Sequence, residues 1–228
     1  MRTSFVPAPR YGTDPKRYAD DLSLYLENFR QDVIEDIKLT TGVWDDLRFP
    51  VSAVKVNKDK PPEVVSYKGS EVYGFRDQLV ANEESISFTA QIPHAWKESS
   101  QIELHLHWVP QDNTAGNVYW TLTYSWANIS GTFPTQTTVN IEAACPEVTD
   151  YHKMSSFGYL VGEDSGGGVW INSPDKTTPK GMSSMLLCTI KRSSSNILDT
   201  YNGKSAYFLE ADFHYERDTC GSRGITDK

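Results

Sequence analysis

The sequence predicts a mostly β protein, a β-sandwich of jelly-roll type preceded by an extended tail and one amphipathic helix. Three observations carry this. Apolar residues recur with period two over much of the chain after residue 43, the mark of strands with one face buried. Aromatic residues make up 12% of the chain, with six Trp and twelve Tyr, and such side chains suit a pleated, half-buried surface. One segment, near the N-terminus, carries apolar residues at helical spacing.

Residues 1–13, with their Pro, Arg and Tyr, read as an extended tail. Asp14-Pro15 then marks a helix start: the Asp14 carboxylate accepts from a free first-turn N–H, and Pro15 has no N–H to leave unsatisfied. Leu22, Leu26, Phe29, Val33 and Ile37 follow at steps of three or four and form one narrow stripe. Gly42 is suited to the left-handed cap that ends such a helix. A stripe this narrow is nearer a coiled-coil seam than a broad core face. It predicts either packing on the chain's own β domain or self-association, with Asp36 interrupting a strict heptad. The organisation read from this is a tail and anchor helix over 1–42 and a β-sandwich over 43–228.

Past residue 50 the period changes to two. Strands are predicted over 71–75, 85–92, 102–109, 118–127, 137–143, 185–192 and 206–215. In the third, Leu104, Leu106 and Trp108 alternate with Glu103, His105 and His107; in the fourth, Val118, Trp120, Leu122, Tyr124 and Trp126 alternate with polar residues and Tyr119. Turn residues at 58–62, 111–117 and 128–131 separate them. Many short strands with irregular loops point to a sandwich or jelly roll. The glycine run 163–168 reads as a loop tip; it lacks the Lys-Ser/Thr that follows in a phosphate-binding loop.

Charge and motifs narrow the function. A net charge of −8 with scattered basic residues argues against nucleic acid as a partner, since such binding draws on clustered Lys and Arg. No run of about twenty apolar residues predicts a membrane span. Cys145, Cys188 and Cys220 form no CxxC pair and read as buried or incidental thiols. No nucleophile elbow is present, and no enzyme activity is predicted.

Two binding chemistries stay open. His105 and His107, two apart on a strand, present both imidazoles to one side, and Asp212, His214 and Glu216 alternate in the same way near the C-terminus. Brought together, His105, His107 and His214 with a carboxylate would suit a divalent metal such as zinc, iron or manganese. The competing reading is an ordinary half-exposed strand with structural His–carboxylate pairs, needing no cofactor. An HxH strand in a jelly roll resembles cupin metalloenzymes, but Pro110-Gln111-Asp112 stand where those carry a nearby Glu. For sugar, Trp96, Tyr119 and Trp170 lie at or near loops and are predicted as stacking platforms, against the alternative that they are core or interface.

The ordered series Trp44-Asp45-Asp46-Leu47-Arg48, Ile92-Pro93-His94-Ala95-Trp96, Leu104-His105-Leu106-His107-Trp108, Gly116-Asn117-Val118-Tyr119-Trp120, Asp212-Phe213-His214-Tyr215-Glu216 and Gly221-Ser222-Arg223 resembles a family of tailed-bacteriophage virion structural proteins. That resemblance implies a virion component made in the host bacterial cytoplasm, commonly a homotrimer, docked to capsid, neck or tail proteins. The expectation is a fibre, decoration or neck appendage held by its N-terminus. A carbohydrate-binding adhesion module for a host surface glycan is the alternative.

Overall fold

The computed structural model describes residues 14–37, 43–77, 84–98, 100–161 and 181–221. The tail over 1–13, the glycine run 163–168 and Trp170 lie outside the described residues, as do the side chains of Val33 and Ile37. The chain divides into two compact units, Met1–Val43 and Trp44–Lys228.

In the first unit, α1 runs Pro15–Ile37. Its start is as the sequence predicts: the Lys16 N–H donates to Asp14 Oδ1 at 3.0 Å and the Tyr18 N–H to the Asp14 carbonyl at 3.0 Å. Leu22 is half-buried, whereas Leu26 and Phe29 are 54% and 57% exposed.

Among the described residues eleven strands follow α1: β1 Val43–Pro50, β2 Lys55–Val56, β3 Glu63–Tyr67, β4 Ser70–Phe75, β5 Ser85–Gln91, β6 Ile102–Pro110, β7 Asn117–Ala127, β8 Thr137–Ala144, β9 Lys153–Val161, β10 Met185–Arg192 and β11 Ala206–Arg217. One sheet has the order β3-β4-β11-β6-β9, with β1 also paired to β11; the other has β2-β5-β10-β7-β8. From β4 onward the chain places β4-β11-β6-β9 opposite β5-β10-β7-β8. That is the eight-stranded jelly roll of two Greek keys, as the sequence predicts. The short β2 and the hairpin strand β3 lie at outer edges.

The alternation seen in the sequence becomes the core. Leu104, Leu106 and Trp108 of β6 are fully buried, as are Val118, Trp120, Leu122 and Trp126 of β7. Edge-to-face contacts of Trp120 with Phe75 at 5.2 Å and Trp108 at 5.9 Å bridge the two sheets. Rings pack in this way because their positive edges meet negative faces.

Two irregularities decide which residues face outward. The β6–β11 register slips between Phe208 and Glu210, where Leu209 is an extra residue. Before the slip Ala206 and Phe208 point to the core; after it Ala211, Phe213 and Tyr215 do. The bulge therefore turns Asp212 and His214 to the outer face, Asp212 level with His105 and His214 level with Glu103. Bulges commonly re-aim side chains in this way. On the other flank, β9 slips against β6 around Gly158, whose φ of 77° lies in the left-handed region that a glycine adopts without strain. This places Ser156 opposite His105.

Candidate metal centre

The outer face over β9, β6, β11 and β1 gathers four of the chain's five histidines. His105 and His107 stand two apart on β6, and Asp212 on β11 is the direct cross-strand partner of His105. One ligand atom from each of these three residues lies within 4.8 Å of the others.

The contacts have a consistent direction. His107 Nε2 is 2.8 Å from Asp212 Oδ1, and His105 Nδ1 is 3.4 Å from Asp212 Oδ2. Each ring turns its other nitrogen outward: His105 Nε2 lies 3.3 Å from Glu103 Oε2, and His107 Nδ1 lies 2.8 Å from His152 Nε2. Glu103 is itself held by the Ser156 hydroxyl, which donates to its Oε1. Each histidine thus turns one nitrogen to Asp212 and has a polar side chain behind it.

Asp212 is only 3% exposed, and its Oδ1 has no hydrogen-bond partner. Burial acts to raise the Asp212 pKa, but His105 and His107 outweigh it and hold the carboxyl at about 2. For His105 burial disfavours the charged ring, yet Asp212 and Glu103 carry its pKa above the ordinary histidine value.

Of the three predicted histidine ligands, the fold brings two together and assigns the third elsewhere. His214 stacks on Trp44, centroids 4.7 Å apart and planes 5° apart, and its Nδ1 pairs with Asp46 Oδ1 at 2.7 Å. Its ring stays 5.3 Å from that of His105, beside the ligand group rather than in it. The carboxylate of the set is Asp212. Neighbouring contacts tie β1 down: Arg48 forms a bidentate pair with Glu210, each bond 2.7 Å, and Arg217 reaches Asp45 at 2.9 Å.

Of the predicted sugar-binding residues, Trp96 and Tyr119 do not converge, and Trp170 lies outside the described residues. Trp96 is 0% exposed, with its ring 6.4 Å from that of Trp126 in the core. A one-residue bridge to Arg217 draws this loop tryptophan inside. Buried so, it has no free face for a sugar ring. Tyr119 lies half-buried on the opposite sheet, on the face turned away from the core. That face has a groove of about 300 Å³ lined by Lys55, Ser87, Thr89, Gln136 and Thr189; Phe88, also at its wall, stacks on Phe49 in the core.

Two of the three thiols are closed off from chemistry by burial. Cys145 and Cys188 are buried and unbridged. Burial pushes the Cys145 thiol up to about 11 and that of Cys188 higher still. Among the described residues, no helix is long and apolar enough to cross a membrane.

No protein-family model and no curated protein matches this sequence. Solved structures similar in backbone include the CBM36-1 domain of a multidomain xylanase from the hindgut metagenome of Trinervitermes trinervoides. It has 8% identity and a TM-score of 0.38, with 79% of this chain and 100% of that one covered. The CBM22-1 xylan-binding domain of Paenibacillus barcinonensis Xyn10C gives 11%, 0.39, 79% and 100%. A chain of infectious bursal disease virus, Gx strain, gives 12%, 0.39, 81% and 35%.

Proposed function

We propose that this chain is a non-enzymatic structural component of a tailed-phage particle, assembled as a homotrimer through α1 and docked by its N-terminus to other virion proteins. The observation that carries the reading is the stripe on α1. Leu22, Leu26 and Phe29 follow heptad spacing, and Leu26 and Phe29 are more than half exposed. Copies of the same helix cover such a seam by knobs-into-holes packing. The phage setting rests on the ordered motif series from Trp44 to Arg223.

Light scattering on the purified full chain tests the assembly. The expected mass is three times 25.7 kDa, falling to one chain when Leu26→Asp and Phe29→Asp are combined, with the β circular dichroism unchanged. A monomeric native chain sinks the trimer. Quantitative mass spectrometry of purified particles tests the setting, with copy numbers expected in multiples of three.

A second reading, a carbohydrate-binding adhesion module, is favoured by one observation, the groove on the outer face of the β2-β5-β10-β7-β8 sheet. Hydroxyls of Ser87, Thr89 and Thr189, the Gln136 amide and the Lys55 ammonium offer donors and acceptors for sugar hydroxyls. Glycan-array binding abolished by Thr89→Val with Thr189→Val would establish it.

A further inference from the structure

We infer that His105, His107 and Asp212 form a divalent transition-metal site of the zinc class, set across the β6–β11 pair. Two imidazole nitrogens and one carboxylate oxygen are a donor set that zinc accepts, with water completing the coordination. The inference is independent of the trimer, since every ligand comes from one β domain.

Three features separate this from an ordinary His–Asp network. The first is Asp212 Oδ1, an oxygen of a carboxylate that is 3% exposed, lying among the ligand atoms without a hydrogen bond. In a purely structural network both oxygens of so buried a carboxylate take N–H donors. Here His107 Nε2 stands 2.8 Å from Asp212 Oδ1, yet that oxygen has no hydrogen-bond partner. Tetrahedral zinc with bonds of about 2.0–2.1 Å holds its ligands roughly 3.3 Å apart. The donor atoms, all within 4.8 Å of one another, reach that spacing by small side-chain rotations.

The second feature is the layer behind the ligands. A metal-bound histidine characteristically donates its remaining ring N–H to a carboxylate or other acceptor, which fixes the tautomer and orients the ring. Both histidines have a polar partner placed for that role, Glu103 Oε2 at 3.3 Å and His152 Nε2 at 2.8 Å, the latter an acceptor in the tautomer where His107 Nδ1 carries the proton. Behind His105 stands Glu103, itself anchored by Ser156; behind His107 stands His152. The third is the backbone. The β11 bulge at Leu209 and the β9 irregularity at Gly158 set Asp212 and Ser156 level with His105. The polar face is thus built by two departures from regular strand geometry, one on each flank of β6.

The metal acts as a staple. It ties β6 to β11, the pair at the middle of its sheet, and excludes a charged ligand from solvent by coordination instead of hydrogen bonding. No redox or hydrolytic step is part of the proposal.

The test uses the full chain, stripped with a chelator and titrated with Zn(II) by calorimetry, with Co(II) as a spectroscopic probe. One zinc per chain is expected, with a higher Tm and visible Co(II) bands of a low-coordinate nitrogen–oxygen site. Asp212→Asn keeps the shape of the side chain but removes its charge, and is expected to weaken binding at least tenfold. The pair His105→Ala with His107→Ala abolishes it, and Glu103→Gln weakens it by about 10–100-fold, the range for an orienting partner. His94→Ala, at a histidine bonded to Ser183 away from the cluster, leaves it unchanged. A wild-type chain that binds no zinc overturns the proposal even if a variant fails to fold. So does zinc binding that survives equally in Asp212→Asn, which would place the ion elsewhere, such as at the exposed Cys220 thiol.

Discussion

Truncating Asp199 is the sharpest perturbation of the fold. Arg192 ends β10 with its side chain fully buried, and Asp199, seven residues on, is 1% exposed in its side chain. Every guanidinium N–H is used. Nε and one Nη2 hydrogen reach the two Asp199 oxygens at 2.8 and 2.6 Å, the other Nη2 hydrogen reaches the Tyr201 carbonyl at 2.8 Å, and Nη1 reaches the carbonyls of Phe75 and Lys204 at 3.2 and 2.6 Å. Asp199 Oδ2 also accepts the Tyr119 N–H at 3.0 Å. Arg192 thereby bolts β10 of one sheet to the end of β4 in the other. Asp199→Ala strands a buried cation and leaves the Tyr119 N–H without its acceptor. Breaking a buried pair in this way costs about 3–5 kcal/mol, a large part of a total stability of about 5–15 kcal/mol. Arg192→Met is expected to cost at least as much, because it leaves three buried carbonyls and a carboxylate. The double variant should then cost clearly less than the sum of the two, since the second change removes the charge the first left unpaired. Urea unfolding followed by the buried tryptophans measures all three, at constant m. A cost below about 0.5 kcal/mol for Asp199→Ala, or strict additivity, would refute the reasoning.

Trp96→Ala is expected to act on stability, lowering it by about 3–5 kcal/mol as a cavity in the core; unchanged urea midpoints would show that the side chain is not where the fold places it. Metal-free protein should also carry two opposed pH dependences. The Asp212 carboxyl is depressed to about 2, against about 3.9 in an unfolded chain, so its contribution is complete above that unfolded value and lost as pH falls through about 2. It amounts to about 2–3 kcal/mol. His105 is raised, so its contribution is complete below about 6.5 and lost as pH rises through its folded value. Thermal unfolding against pH should show the acid limb in the native chain and a reduced limb in Asp212→Asn; parallel curves would contradict the assignment.

The sequence by itself determined the strands whose alternation is unbroken, because period two in a half-buried strand depends only on which face meets the core. Leu104, Leu106 and Trp108, and the series from Val118 to Trp126, lie inward as their spacing predicts. The helix start at Asp14-Pro15 was legible for a similarly local reason. Strand β9 was not, because Gly158 breaks the period: Ser155 and Phe157 are buried before it and Leu160 after it. Strand β1 was hidden by Asp45, Asp46 and Arg48, whose charges are answered by Arg217, His214 and Glu210 of β11, more than 160 positions away. In the candidate site, the HxH spacing announced two ligands and the Asp-x-His spacing offered a carboxylate. Only the paired register, shifted by one residue at Leu209, selected Asp212 over His214. His152 and Glu103 gave no local signal, since an acceptor behind a histidine is defined by position in space. The burial of Trp96 is hidden from the sequence for the same reason: a loop tryptophan is exposed or buried according to what packs over it, and that is decided where distant segments meet.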